Sequence, residues 1–90
     1  MSGADGIERR ITTGIIVSAE YVRRVRAFWR DEFIGSPELR RVARWGLDHF
    51  ERYGKVIDSD LQTLFYEKLK TESIPKDEAE FIEQILAKHH

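Results

Sequence analysis

Seven arginines in the first half of the chain are the residues whose type and spacing favour binding chemistry. They are Arg23, Arg24, Arg26, Arg30, Arg40, Arg41 and Arg44. A guanidinium group is planar, so it pairs with a carboxylate or a phosphate through two parallel hydrogen bonds. If two neighbouring helices carry these residues, several guanidinium groups lie on one side of the domain. The pattern therefore predicts a surface that binds a protein partner or nucleic acid.

Trp45 follows Arg44, just off an apolar stripe, and is the aromatic residue that the sequence places beside the arginines. Protein interfaces favour an aromatic centre with arginine around it, so we predict that Trp45 anchors a partner. The predicted partner-binding residues are Arg23, Arg26, Arg30, Arg41, Arg44 and Trp45. The alternative, which the sequence leaves open, is that Trp45 completes the core and the arginines form a solvated face.

A nucleic-acid-binding module is the second function that the arginines allow. A helix-turn-helix domain exposes polar and basic residues at the start of its recognition helix, where Arg40, Arg41 and Arg44 would serve. The formal net charge of the chain is only −1, whereas nucleic-acid-binding domains are usually basic. Nine arginines against six acids give residues 1–45 about +3, and six basic residues against ten acids give residues 46–90 about −4. Because the first half is basic but the whole chain is not, we predict nucleic acid only as a secondary partner, after protein.

The residue types that carry catalysis form no recognisable site in the sequence. His49 is next to Asp48 in the chain, and adjacent residues point to different faces of a helix. Glu78, Glu80 and Glu83 occupy a charged helix face, where solvation is expected. The sequence contains no G-x-x-x-x-G-K-[ST] loop, which holds nucleotide phosphates in many ATPases. We therefore predict that this fragment is not an enzyme and uses no cofactor or metal.

The central element that positions the arginines is a predicted helix over residues 37–53. Ser36 suits the N-cap, Pro37 suits the first helical position, and Gly54 suits a left-handed C-terminal cap. Apolar residues recur at three- and four-residue spacing along this helix and predict its buried stripe. The stripe consists of Leu39, Val42, Ala43, Gly46, Leu47, Phe50 and Tyr53.

Four further helices are predicted around this central helix. The first starts near Ile7 and ends in a buried run at residues 15–17, and the second follows a cap at Ser18. The second carries Tyr21, Val22, Val25, Phe28 and Trp29 on its inner face. Phe33 and Ile34 are expected to plug the core before the central helix begins. Two helices follow, with Leu61, Leu64, Phe65 and Leu69 inward in one and Ala79, Ile82, Ile85 and Leu86 in the other.

These elements predict an all-α domain, a compact orthogonal bundle of about five short helices. We divide the chain into a flexible leader at residues 1–7, a single helical domain at 8–88 and a tag remnant at 89–90. The sequence has no cysteine, and its longest apolar run is far too short to span a membrane. A cytoplasmic protein without membrane contact is therefore expected.

The order of these signals resembles the N-terminal domain of DnaB-type replicative hexameric DNA helicases. The resemblance rests on residues 14–17 (Gly-Ile-Ile-Val), 32–34 (Glu-Phe-Ile), the helix over 37–54, 57–58 (Ile-Asp) and 63–64 (Thr-Leu). It covers roughly residues 8–70. Glu38-Leu39 stands where the family often has a histidine, and Val56 where it often has a proline, which indicates a divergent, phage-type branch.

The resemblance implies a non-catalytic head domain of a helicase whose ATPase motor follows it in the chain. In the family, such heads order the ring of subunits and dock primase or a helicase loader, as part of the primosome. The partners implied are therefore primase, a loader, the protein's own motor domain and neighbouring subunits, in a homo-oligomer formed by the full-length protein. No catalytic residue carries over, because the family's catalytic motifs lie in the motor. A helicase-binding domain of a primase or loader, with a similar fold, is an alternative that the sequence does not separate from the head domain.

Overall fold

The computed structural model describes the backbone of residues 4–89 and the side chains of residues 6–87. Its helices are α1 (Ala4–Val17), α2 (Ala19–Val25), α3 (Pro37–Tyr53), α4 (Leu61–Thr71) and α5 (Lys76–His89). Short 3-10 turns at Asp31–Phe33 and Asp58–Asp60 precede α3 and α4. Within residues 4–89 there is no β-strand, so the predicted all-α bundle of five helices is confirmed.

The ends of α3 are where the local sequence signals place them. The Ser36 hydroxyl accepts a hydrogen bond from the Leu39 amide at 3.3 Å, and Pro37 is the first helical residue. At the other end Gly54 has a φ of 71°, and its amide donates to the Phe50 carbonyl at 2.8 Å. Only glycine adopts this left-handed cap without a steric cost, so Gly54 ends the helix.

Helix α3 contacts α1, α2 and α5, and its side chains enter two apolar clusters. The first cluster consists of Ile15, Val22, Val25, Ile34, Leu39, Ala43, Leu47 and Phe50. The second consists of Ile16, Val42, Trp45, Ile57, Leu61, Phe65, Ile82 and Leu86. At Gly46 an added Cβ would lie 2.7 Å from Ile15 Cγ2, so the missing side chain lets α1 approach α3 closely.

Several expected boundaries and faces differ in the structure. Helix α1 begins at Ala4, so residues 4–7, which we assigned to the leader, are helical. Val17, at the end of the predicted buried run, is exposed, because three consecutive residues of a helix cannot all face one core. Tyr53 and Leu69 are also exposed, each close to the C-terminal end of its helix. Residues 1–3 and His90 lie outside the described residues, and His89 is the last residue of α5.

None of the helices in the described part of the chain is long and apolar enough to cross a membrane.

Candidate protein-interaction surface

The connection between α2 and α3 presents a cluster of aromatic side chains at the surface. Helix α2 ends at Val25, and the chain leaves it through a turn at residues 26–28. Phe28 is 61% exposed and Phe33 is 43% exposed. Their ring centroids are 6.4 Å apart, and the Trp29 ring meets Phe33 edge-on at 5.6 Å. The inward position expected for Phe28 is wrong, because α2 ends at Val25, one turn before it. The inward position expected for Phe33 is also wrong: its ring packs against Phe28 and Trp29 at the surface, and of the pair Phe33 and Ile34 only Ile34 is buried in the core.

Three of the predicted arginines lie next to this cluster. Arg26 and Arg44 line a groove of about 230 Å³ together with Trp29, and the groove floor is the buried Leu47. Arg30 follows Trp29 in the chain and is exposed. We call these residues the aromatic–arginine surface: Arg26, Phe28, Trp29, Arg30, Phe33 and Arg44.

Asp31 fixes the position of Trp29 within the aromatic–arginine surface. The Trp29 indole Nε1 donates a hydrogen bond to Asp31 Oδ1 at 3.0 Å, and Arg44 forms an ion pair with the same carboxylate. The hydrogen bond from Trp29 is the main cause that lowers the pKa of Asp31, and Arg44 lowers it further, while partial burial opposes both. The indole ring is therefore held at the surface by a charged acceptor.

Trp45, the predicted anchor, is buried and cannot meet a partner. Its side chain is 5% exposed, and its ring centroid lies 6.3 Å from that of Phe65 in α4. Position 45 comes three residues after the buried Val42, so both side chains point from the same face of α3. The prediction that Trp45 anchors a partner is wrong, and the alternative that it completes the core is confirmed. Trp29 is the tryptophan that lies beside arginines at the surface.

Arg41 also differs from its predicted role, because it joins elements of the domain to each other. Its guanidinium contacts Glu78 of α5 at 3.0 Å and Glu72 after α4 at 3.3 Å. The Glu78 side chain is only 12% exposed, so Arg41 compensates a largely buried carboxylate. Arg23, in contrast, lies over the Phe50 ring at 5.8 Å, beside Arg26 over the same ring at 5.6 Å. The structure therefore places Arg23, but not Arg41, near the aromatic–arginine surface.

Carboxylates neutralise part of the aromatic–arginine surface. Arg26 pairs with Glu51 at 3.1 Å, and Arg44 pairs with Asp48 at 3.6 Å as well as with Asp31. These pairs are well exposed, so each contributes little to folding stability. The ion pairs matter more for the binding of nucleic acid, because a phosphate would have to displace the carboxylate that each guanidinium already contacts. The surface is better suited to apolar and aromatic contacts than to a phosphate backbone.

His49 packs against Tyr53 beside a groove at the C-terminal half of α3. Its Nε2 is buried without a hydrogen-bond partner, and the nearest carboxylate oxygen, Asp60 Oδ2, is 3.9 Å away. The ring stacks obliquely on Tyr53, with centroids 4.6 Å apart, beside a groove of about 260 Å³. Among the residues that the structure describes, no three histidine, aspartate or glutamate side chains are grouped closely enough to hold a metal ion.

The exposed cluster of Phe28 and Phe33 has no direct signal in the sequence. Phe28 continues the spacing of Val22 and Val25, so it was assigned to the buried face of α2. The residues that follow, Arg30, Asp31 and Glu32, interrupt the apolar spacing and are a signal, in retrospect, that the helix had already ended.

Comparison of the chain with protein-family models, with curated proteins and with solved structures finds no match.

Proposed function

We propose that this chain is a non-catalytic protein-interaction and assembly domain, the head of a replicative-helicase-like protein that docks primase or a helicase loader and orders neighbouring subunits. The observation that supports this proposal most strongly is the exposed aromatic cluster of Phe28, Trp29 and Phe33 with arginines around it. The helicase assignment rests on the sequence resemblance alone. A protein of this kind works in the cytoplasm on DNA replication.

The aromatic cluster is costly to leave in water, which favours a partner that covers it. Burying a phenylalanine side chain contributes about 1.5–3 kcal/mol, and aromatic and arginine residues dominate the binding energy of many interfaces. Trp29 is already oriented by its hydrogen bond to Asp31, so little side-chain entropy is lost when a partner packs against it.

Nucleic acid is the competing partner, and the ion pairs argue against it. Arg26 and Arg44 are each bound to carboxylates of the domain. Counterion release, which drives nucleic-acid binding, requires arginines that are free to neutralise phosphates. Base stacking on the exposed Phe28 and Phe33 rings is a contact that would favour single strands.

A binding experiment with the candidate partners tests the protein-interaction proposal. The primase, the helicase loader and the motor domain of the same replication system are each titrated with the domain by isothermal calorimetry. We expect one of them to bind, with an affinity that falls about tenfold or more in Phe28→Ala and Phe33→Ala, since each removes a large apolar contact. Tyr66→Ala, which removes a similarly exposed aromatic ring on α4, is the matched control and should bind normally.

Two outcomes contradict the proposal. If the Phe28 and Phe33 variants are folded and bind like the wild type, the aromatic–arginine surface is not the interface. If no protein binds but single-stranded DNA does, with a steep dependence on salt, the nucleic-acid function replaces it.

The reading frame of the parent gene tests the helicase assignment separately. A P-loop ATPase domain encoded after residue 90 would support it, because the family places its motor after the head. A parent protein with an unrelated second domain would contradict the helicase assignment and leave the protein-interaction proposal standing.

A further inference from the structure

We propose that the aromatic–arginine surface takes a protein segment whose apolar side chains are bordered by aspartate or glutamate residues. This inference rests on the proposed interaction function and specifies the chemistry of the partner. It follows from three features of the surface: the shape of its groove, the charges that are already paired and the charges that are not.

The groove has room for one large apolar side chain. Its volume is about 230 Å³, below the roughly 300–1,000 Å³ of sites for small-molecule ligands. Leu47 forms an apolar floor and Trp29 an apolar wall, and the exposed Phe28 and Phe33 rings continue from that wall. An apolar anchor from a partner would therefore contact Trp29 inside the groove while its neighbours cover the two phenylalanines.

The carboxylates of the groove cannot attract a basic partner, because they are already paired. Asp31 is bound by Arg44 and by the Trp29 indole, Asp48 by Arg44, and Glu51 by Arg26. A lysine or arginine from a partner would have to compete with these groups for the same oxygens. Inside the groove two guanidinium groups face three carboxylates, so its formal charge is −1, but each of these carboxylates already has a partner before any ligand arrives.

The uncompensated charges at the edge of the surface are mainly positive. Arg23 and Arg30 have no carboxylate partner within the described residues. Arg23 lies beside the aromatic–arginine surface, because its guanidinium and that of Arg26 lie over the same Phe50 ring. Arg40 donates to the carbonyl oxygens of Ile34 and Gly35 and has no carboxylate partner within the described residues, because the Glu8 carboxylate beside it accepts from the Gly35 and Ser36 amides. Of the two exposed acids in the segment before Ser36, Asp31 is paired with Arg44, and Glu32 has no cationic partner within the described residues. Three unpaired cations against one unpaired anion make this edge complementary to acidic residues.

Two designed helical peptides test the charge preference directly. Both carry the same stripe of Leu and Phe, bordered by Glu in one peptide and by Lys in the other. We expect the Glu peptide to bind about tenfold more tightly at low ionic strength, because several exposed charges each contribute weakly. The difference should shrink as salt is added, since these charges are screened.

Variants of the domain assign this preference to the proposed surface. Arg30→Glu should remove most of the preference for the Glu peptide, and Phe28→Ala should weaken both peptides equally. Arg10→Glu, a charge reversal at an exposed arginine of α1, is the matched control and should leave the preference unchanged.

The inference is overturned if the Lys peptide binds as tightly as the Glu peptide, if neither peptide binds, or if Arg10→Glu acts like Arg30→Glu. These failures are distinct from a failure of the proposed function. A natural partner whose binding depends on Phe28 but not on Arg30 would support an interaction domain and reject the acidic segment. A natural partner insensitive to Phe28 would reject both.

Discussion

The two tryptophans lie in two regions that differ in how completely helix α3 is covered. Trp45 lies in the cluster where α3 meets residues of α1, α4 and α5, and it is buried there. Trp29 lies where α3 meets the short α2 and the segment that follows it. Helix α2 has only seven residues, and the guanidinium groups of Arg23 and Arg26 lie over the Phe50 ring in addition to the apolar side chains of the first cluster. The comparison shows that a candidate interface arises where a covering helix ends early.

Truncating each tryptophan should give the largest difference in stability between the two regions. Trp45→Ala leaves a large cavity against Phe65 and is expected to lower the free energy of unfolding by about 3–5 kcal/mol. Trp29→Ala should lower it by about 1–2 kcal/mol at most, because this side chain is only partly buried. Urea denaturation measures both. Equal losses would show that the two regions do not differ in packing.

The contact between α1 and α3 gives a second test, of intermediate size. Gly46→Ala forces a Cβ to within 2.7 Å of Ile15 Cγ2, so we expect a loss of about 1–3 kcal/mol from overpacking. Gly6→Ala is the matched control, since a Cβ there would meet no atom within 4 Å. Gly6→Ala should slightly stabilise α1, because alanine favours the helix more than glycine does. A Gly46 variant as stable as the wild type would mean that α1 and α3 are not closely packed.

Arg41 and Arg44 allow a comparison of stability between an arginine that joins elements of the domain and an arginine at its surface. Arg41→Ala leaves the largely buried Glu78 carboxylate without its partner, and we expect a cost of about 1–3 kcal/mol. Arg44→Ala removes exposed pairs and should cost less than about 1 kcal/mol. Thermal unfolding at neutral pH measures the difference. The reverse order would assign Arg41 to the surface and Arg44 to the structure.

The smallest expected effect is the pH dependence that comes from Asp31. The pKa of Asp31 is lowered in the folded protein, mainly by the hydrogen bond from Trp29. As the pH falls, Asp31 therefore binds a proton in the unfolded chain before it does so in the folded protein. The stabilisation from Asp31 is therefore full above its unfolded pKa and is lost as the pH falls through the folded pKa. Asp31→Asn should flatten this part of the acid denaturation curve. A curve identical to that of the wild type would show that the Trp29–Asp31 contact does not form.

The parts of the fold that depend on local signals were predictable from the sequence. Ser18, Ser36 and Gly54 cap their helices through atoms within a few residues, and the apolar spacing identifies the buried face of α3 from Leu39 to Phe50. The candidate site was predictable only in part. Arg23, Arg26, Arg30 and Arg44 lie on or beside it, but the anchor was assigned to the wrong tryptophan.

The errors at the site have two physical causes. The apolar periodicity of a helix does not show which other helix covers it, and it does not show at which residue the helix itself ends. Trp45 looked peripheral on α3 alone, yet Phe65 of α4 covers it. Phe28 looked internal on α2 alone, yet the helix stops at Val25.

The most direct test of the interaction surface uses the indole N–H signals of the two tryptophans in the NMR spectrum of the domain. Primase, loader and motor domain are added in turn, and the signals are assigned with Trp29→Phe. We expect the binding partner to shift or broaden the Trp29 signal and to leave the Trp45 signal in place. A partner that binds and perturbs neither signal, or Trp45 alone, would contradict the claim that the aromatic–arginine surface is the interface.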